Sequence, residues 1–77
     1  MKYPDGTEIR VGDRVKVAGD DFGIVILSVD ANEYSTEFPA QEWSYLGKGI
    51  MIKSEKMGLV HYEEYSEDIE LIKKNEY

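Results

Sequence analysis

Two stretches of the chain decide its fold, DRVKV at residues 13–17 and IVILSV at residues 24–29. In the first stretch valine alternates with a basic residue, a period of two that is typical of a strand with one buried face. The second stretch is almost entirely apolar and rich in β-branched residues, which favours a central strand covered on both sides. Residues 18–23 between them include two glycines and two aspartates, so we predict a hairpin.

Three further strands are predicted downstream. Isoleucine alternates with other side chains in residues 49–54, and residues 55–58 favour a tight reversal with Gly58 in the left-handed conformation. Residues 59–62 then return as the partner strand, residues 63–68 are an acidic connection, and residues 69–72 form a last short strand. The remaining residues, 73–77, are predicted to be a frayed tail.

The segment between the second and third strands combines a loop with a short helix. Residues 30–38 are polar and acidic without a period, which indicates an excursion loop. Pro39 is acceptable in the first turn of a helix, and Gly47 is a suitable end, so residues 39–46 are predicted to form about two helical turns. Trp43 and Leu46 would share its buried side. An extended conformation of the same segment is the alternative.

Together these elements predict a mainly β fold, one small five-stranded antiparallel barrel over residues 1–77 with a helical turn around residues 39–46. The chain has 77 residues and no cysteine, so the core must hold without disulfides or a thiolate zinc site. Closure into a barrel would suit so short a chain because it removes exposed sheet edges.

Two sets of motifs resemble known proteins. GDRV at residues 12–15 and GIVI at residues 23–26 resemble SH3-like barrels of the KOW kind, with DIELI at residues 68–72 as a compatible closing strand. That resemblance covers about thirty residues and implies an SH3-like barrel and nucleic-acid binding. EWSYL, GIMI and GLVHY, at residues 42–46, 49–52 and 58–62, are similar to small uncharacterised bacterial proteins, some of them from toxin–immunity loci. This second resemblance implies an immunity protein.

The distribution of charge favours a basic partner. The formal net charge is −7, and no Lys or Arg occurs between Lys16 and Lys48 or between Lys56 and Lys73. Eleven of the sixteen acidic residues lie in these two gaps. A surface of this kind attracts cationic proteins and repels phosphates, which argues against nucleic acid as the partner.

No catalytic or metal-binding pattern is present. His61 is the sole histidine, cysteine is absent, and there is no Gly-x-Ser-x-Gly elbow, so we predict no enzyme and no cofactor. A calcium loop starting at Asp30 fails because Ser35 and Gln41 stand where glycine and glutamate are required. Loose divalent-ion binding by the acids of residues 63–68 is left open. His61 itself is predicted to be a strand histidine hydrogen-bonded to a neighbour.

The function predicted from the sequence is a non-catalytic, acidic protein-binding domain, in its sharper form an immunity-type inhibitor of a basic toxin. Tyr34 and Tyr65, which lie among acids, are predicted to be exposed anchors, whereas Trp43 and Tyr62 are predicted to complete the core. The candidate partner-binding residues are Asp20, Asp21, Glu33, Tyr34, Glu37, Glu63, Glu64, Tyr65 and Glu67.

The alternative function is a KOW-like accessory domain of transcription or translation that binds nucleic acid or a ribosomal protein. It would use Arg14, Lys16 and Lys53, which form a basic patch if their strands are neighbours. We further expect a monomer or small homo-oligomer. A cytoplasmic location is expected because the longest apolar run, residues 24–27, is far too short for a membrane segment.

Overall fold

The computed structural model describes residues 1–75, in which five strands form one antiparallel sheet. A short helix and a single 3₁₀ turn, Ser44–Leu46, lie between the second and third strands. The elements are β1 Arg14–Val17, β2 Asp21–Ser28, α1 Ala40–Trp43, β3 Ile50–Ser54, β4 Gly58–Tyr62 and β5 Glu70–Lys73. The predicted mainly β class is therefore confirmed, as is the helical rather than the extended conformation around residues 40–46.

The order of the strands in the sheet is β4-β3-β2-β1-β5. Strands β1 to β4 form a meander, and β5 returns to the far side of β1. Among the described residues the edge strands β4 and β5 do not pair with each other, so the sheet is open and the predicted closure into a barrel is not confirmed. Register shifts at Arg14/Val15 and Val25/Leu27 add local twist to the sheet.

The sheet carries an apolar cluster on each face. On the first face, residues of β1, β2 and β3 pack against the N-terminal segment and Ile69, forming the larger cluster of Tyr3, Ile9, Val15, Val17, Val25, Ile50, Ile52 and Ile69. On the second face, Ile26, Leu27 and Met51 are covered by residues 30–46 between β2 and β3, which we call the excursion, among them Phe38 and Trp43. The prediction that β2 is covered on both sides is confirmed. The register shift between Val25 and Leu27 accounts for two consecutive residues, Ile26 and Leu27, in one cluster.

A buried aspartate joins the two ends of the described chain. The side chain of Asp13 is fully buried, and its Oδ2 accepts hydrogen bonds from the Tyr3 hydroxyl at 2.7 Å, Lys74 Nζ at 2.8 Å and the Arg10 amide at 3.0 Å. Its Oδ1 accepts the Asn75 amide at 2.9 Å. The prediction of a frayed tail is therefore corrected for residues 73–75, which belong to β5 or bond to Asp13; residues 76 and 77 lie outside the described part.

The pKa of Asp13 reflects two opposed effects. Burial by itself would raise the pKa of this carboxyl group, because a low-dielectric surrounding disfavours the charged form. The hydrogen bonds from Asn75, Lys74, Arg10 and Tyr3 outweigh burial and hold the pKa below its ordinary value. The carboxylate is thus the form that the fold requires.

Replacing Asp13 with Asn should destabilise the protein markedly. The substitution leaves the Lys74 ammonium and several donors without a buried anion, so we expect the free energy of unfolding to fall by about 3 kcal/mol. Urea unfolding followed by circular dichroism measures this change. Glu67→Gln, on an exposed side chain, is the control and should change the value by less than about 0.5 kcal/mol. Equal effects of the two substitutions would contradict the role given to Asp13.

The same carboxylate should make stability depend on pH. Because the pKa of folded Asp13 lies below that of the unfolded chain, its contribution is present at neutral pH and is lost as the pH falls through the folded pKa. The unfolding free energies of the wild type and of Asp13→Asn should therefore converge below about pH 4. Urea unfolding at a series of pH values tests this, and a difference that stays constant into acid would refute it.

Candidate binding surfaces

Two of the predicted acidic site residues are used inside the fold. Asp21 is only 3% exposed, and its Oδ1 accepts the Lys56 amide at 2.9 Å, which fixes the turn between β3 and β4 against the start of β2. Glu33 accepts Arg10 Nε at 2.8 Å and the Val11 amide at 3.2 Å. The Arg10 hydrogen bond holds the pKa of Glu33 below its usual value. Both acids therefore serve contacts within the chain.

The two predicted tyrosine anchors are also used internally. Tyr34 packs against the cluster on the second face of the sheet, and Tyr65 packs against the cluster on the first face. The hydroxyl of Tyr65 donates a 2.7 Å hydrogen bond to the Ile69 carbonyl. The expectation that these two rings are exposed is thus wrong. Trp43 and Tyr62 pack against the clusters as predicted, whereas Tyr45, whose ring stacks on Trp43, is exposed.

The remaining predicted acids are exposed, but they do not form one surface. Glu63, Glu64 and Glu67 lie in the connection between β4 and β5, which we call the acidic loop (residues 63–68). Asp20 lies in the turn between β1 and β2 and pairs with Lys56 Nζ at 3.1 Å. Glu37 lies in the excursion that packs on the second face. Because the acidic loop packs on the first face through Tyr65, it and Glu37 belong to opposite sides of the sheet.

The acidic loop is held in place by its own contacts. It starts after β4 at one edge of the sheet and leads to β5 at the other edge, so it must cross the sheet. Hydrogen bonds run from the Ile69 amide to the Ser66 carbonyl at 3.0 Å and from the Asp68 amide to Ser66 Oγ at 3.2 Å. Glu63 and Glu64 remain 64% and 86% exposed at their side chains. The loop thus presents exposed carboxylates on a backbone held by hydrogen bonds.

One cation adjoins this loop. Lys48 Nζ lies 3.7 Å from a carboxylate oxygen of Glu63 and 4.0 Å from one of Glu64. These separations, between side chains that are all more than half exposed, indicate weak ion pairs in water. His61, on the neighbouring strand β4, donates from Nε2 to the Lys48 carbonyl at 2.9 Å, which bears out its prediction as a hydrogen-bonded strand histidine.

A second surface lies on the uncovered part of the second sheet face. The register pairs Ile24 of β2 with Arg14 of β1 on one side and with Lys53 of β3 on the other, so these side chains form a cross-strand row. We call this surface the sheet groove; it is lined by Arg14, Phe22, Gly23, Ile24, Lys53, Glu55 and Ile72. The basic residues predicted for the alternative function are therefore neighbours, since Lys16 pairs with Phe22 in the next row.

Sequence reasoning missed the apolar part of this groove. Phe22 is 47% exposed and Ile72 is 52% exposed. The alternation of side chains along the strands was the available signal. Phe22 pairs in register with Lys16 and therefore shares its face of the sheet. Ile72 follows Leu71, which packs against the first-face cluster, so Ile72 belongs to the second face. The extent of cover on the second face, however, depends on how the excursion folds, and no local pattern in the sequence determines it.

The chain matches no protein-family model, and no curated protein or solved structure matches it at a significant level. Within residues 1–75, no group of three or more His, Cys, Asp or Glu side chains is arranged to hold a metal ion. In that same part of the chain, no helix has the length and apolar character needed to span a membrane.

Tyr65→Phe should loosen the acidic loop without unfolding the protein. The change removes the hydrogen bond to the Ile69 carbonyl but keeps the packed ring, so we expect the free energy of unfolding to fall by about 1 kcal/mol. Amide hydrogen exchange should accelerate selectively in residues 63–69. Tyr45→Phe is the matched control because that ring is exposed, and it should leave exchange in the loop unchanged. Unchanged exchange in Tyr65→Phe would contradict the bracing role.

Proposed function

We propose that this chain is a non-catalytic protein-binding domain that captures a basic partner with its acidic loop. The observation that carries the proposal is the ordered loop itself, in which Glu63, Glu64, Glu67 and Asp68 are exposed on a backbone held by Tyr65 and Ser66. A surface that is ordered before binding loses less conformational entropy when the partner docks. Tyr65 then acts as a brace for the loop rather than as an anchor in the interface.

Electrostatics supports the same proposal. The formal net charge of −7 gives a long-range attraction for cationic proteins, and only Lys48 pairs with the loop among the described residues. Charge complementarity of this kind chiefly raises the rate of association and excludes acidic competitors. Of the nine partner-binding residues predicted from the sequence, Glu63, Glu64 and Glu67 remain as proposed contacts. Asp20 and Glu37 lie elsewhere on the surface, and Asp21, Glu33, Tyr34 and Tyr65 make contacts within the fold.

We also propose that the open sheet is of the SH3-like kind. The support is the strand order, in which a four-stranded meander is completed by a last strand beside the first, together with register shifts that twist the sheet. The motifs at residues 12–15 and 23–26 occupy the positions expected of them, at the start of β1 and within β2. Fold type by itself does not determine the partner.

A basic toxin is the first partner to test. The segments at residues 42–46, 49–52 and 58–62 resemble small bacterial proteins, some of them from toxin–immunity loci, and this resemblance suggests the class of partner. Carboxylates on a hydrogen-bonded loop are suitable stand-ins for the phosphates that a cationic nuclease binds. In such a complex the acidic loop would cover the active site of the toxin. The role of Glu63 and Glu64 would then be to occupy the cationic pocket in place of the substrate.

Binding of nucleic acid has less support. Arg14, Lys16 and Lys53 do lie close together, but Glu55 lines the same groove and Glu70 pairs in register with Lys16. Affinity for a phosphate backbone comes from several cationic contacts without neighbouring acids. We therefore retain this function only as an alternative outcome of the experiments.

Charge reversal in the loop tests the proposed function. In Glu63→Lys/Glu64→Lys, capture of basic proteins from a lysate at low salt should fall at least about tenfold relative to the wild type. The matched control is Glu37→Lys/Glu42→Lys, an equal change of charge on two exposed acids of the excursion, which should retain capture within about twofold. Retained proteins are quantified by mass spectrometry at low and high salt.

The two variants separate local from global electrostatics. If both lose capture equally, net charge alone is responsible and the acidic loop is not the site. If the loop variant instead gains affinity for RNA or DNA, the nucleic-acid alternative replaces the proposal. Well-dispersed NMR spectra of both variants establish that the fold is intact, which is expected because all four side chains are exposed.

A further inference from the structure

The sheet groove continues beneath the excursion as one trough. A depression of about 440 Å³ lies between β2 and residues 35–38 of the excursion, and a second of about 400 Å³ lies over Phe22 and Ile72. The two share Ile24 and Lys53 in their walls, so they adjoin each other. Together they form an elongated surface on the side of the sheet opposite the packed acidic loop.

The floor of the trough is apolar and open. The excursion covers Ile26, Leu27 and Met51 but leaves Phe22 and Ile72 about half exposed. Leu59 of β4, which pairs in register with Lys53, extends the exposed apolar surface toward the sheet edge. Contiguous apolar side chains rimmed by charged ones are typical of surfaces that bind another protein.

The rim of the trough carries cations that form no ion pair with the described residues, as is also true of Lys2 and Lys73. Among residues 1–75, Lys48, Lys56 and Lys74 each join an ion pair, whereas Arg14, Lys16 and Lys53 join none. Arg14 and Lys53 flank Ile24 two strands apart, which corresponds to about 10 Å between their backbones. An apolar side chain placed on Ile24 would therefore have a guanidinium on one side and an ammonium on the other.

Acids at both ends of the trough limit what it can hold. Glu37 lines the end beneath the excursion, and Glu55 lines the end near Phe22. A continuous phosphate backbone laid along the trough would meet both carboxylates, and among the described residues that line the trough only the Phe22 ring is exposed enough for a base to stack on it. A short peptide segment that carries negative charges only near the middle of the trough, beside Arg14 and Lys53, avoids these two acids.

We infer that the sheet groove is a second docking site, which takes an extended acidic segment of a partner protein with one apolar side chain between two Asp or Glu residues. The apolar side chain lies over Ile24 between Phe22 and Ile72, and the flanking carboxylates pair with Arg14 and Lys53. This site does not depend on the proposed function, since the acidic loop packs on the other face of the sheet.

A defined peptide tests the inference. The probe is acetyl-Ser-Asp-Ser-Phe-Ser-Asp-Ser-amide, titrated into ¹⁵N-labelled wild-type protein to about 1 mM at low salt. We expect shifts of backbone amides confined to β1, β2, β3 and β5 around Arg14, Phe22, Ile24, Lys53 and Ile72. The same peptide with Lys in place of Asp should bind at least about tenfold more weakly, because it places cations beside Arg14 and Lys53. Absence of shifts at these positions would overturn the inference.

Variants then distinguish the groove from general charge effects. Arg14→Glu/Lys53→Glu should weaken the Asp peptide at least about tenfold, whereas Lys2→Glu/Lys48→Glu, with the same change in net charge, should bind within about twofold of the wild type. Phe22→Ser should also weaken it without altering charge. Equal loss in both charge variants would refute a specific groove. Stronger perturbation of the same amides by a thymidine decamer would assign the groove to single-stranded nucleic acid and overturn the inference.

Discussion

The constraint on which the whole structure depends is that β2 is apolar on both faces in a chain of only 77 residues. Both faces of the sheet must be covered, and the chain has few residues outside its strands with which to do so. The N-terminal segment and Ile69 cover the first face, and the excursion covers part of the second. Residues that would be free loops in a larger domain are here parts of the core. This explains why Tyr34 and Tyr65, which lie among acids in the sequence, pack inward.

The two candidate surfaces follow from this shortage of cover. The acidic loop is ordered because Tyr65 and Ile69 are needed on the first face, so the carboxylates between and around them are carried on a fixed backbone. The groove is open because the excursion ends before it reaches Phe22 and Ile72. The acidic loop therefore results from cover of the first face of the sheet, and the groove results from incomplete cover of the second face. Neither requires a dedicated binding element.

How much the sequence predicts depends on whether a feature is local. Period-two alternation and one continuous apolar run located the strands, and Gly58 marked the left-handed turn that the structure contains. Closure of the sheet, the inward packing of Tyr65 and the hydrogen bonds of Asp13 to the chain after β5 all depend on contacts between residues distant in sequence. A short acidic stretch looks the same in sequence whether it is a free loop or, as with Glu33, a partner for Arg10.

Net charge is a poor guide to any one surface of this molecule. The formal charge of −7 includes Asp13, Asp21 and Glu33, whose carboxylates are engaged in the fold, while Arg14 and Lys53 lie together on one face. The acidic loop and the groove lie on opposite sides of the sheet and its covering layer, about 10 Å or more apart, and salt in the surrounding water further screens their exposed charges. Charges on one surface therefore act only weakly on a ligand at the other. The two proposed surfaces are therefore compatible with partners of opposite charge, which a single averaged charge would not suggest.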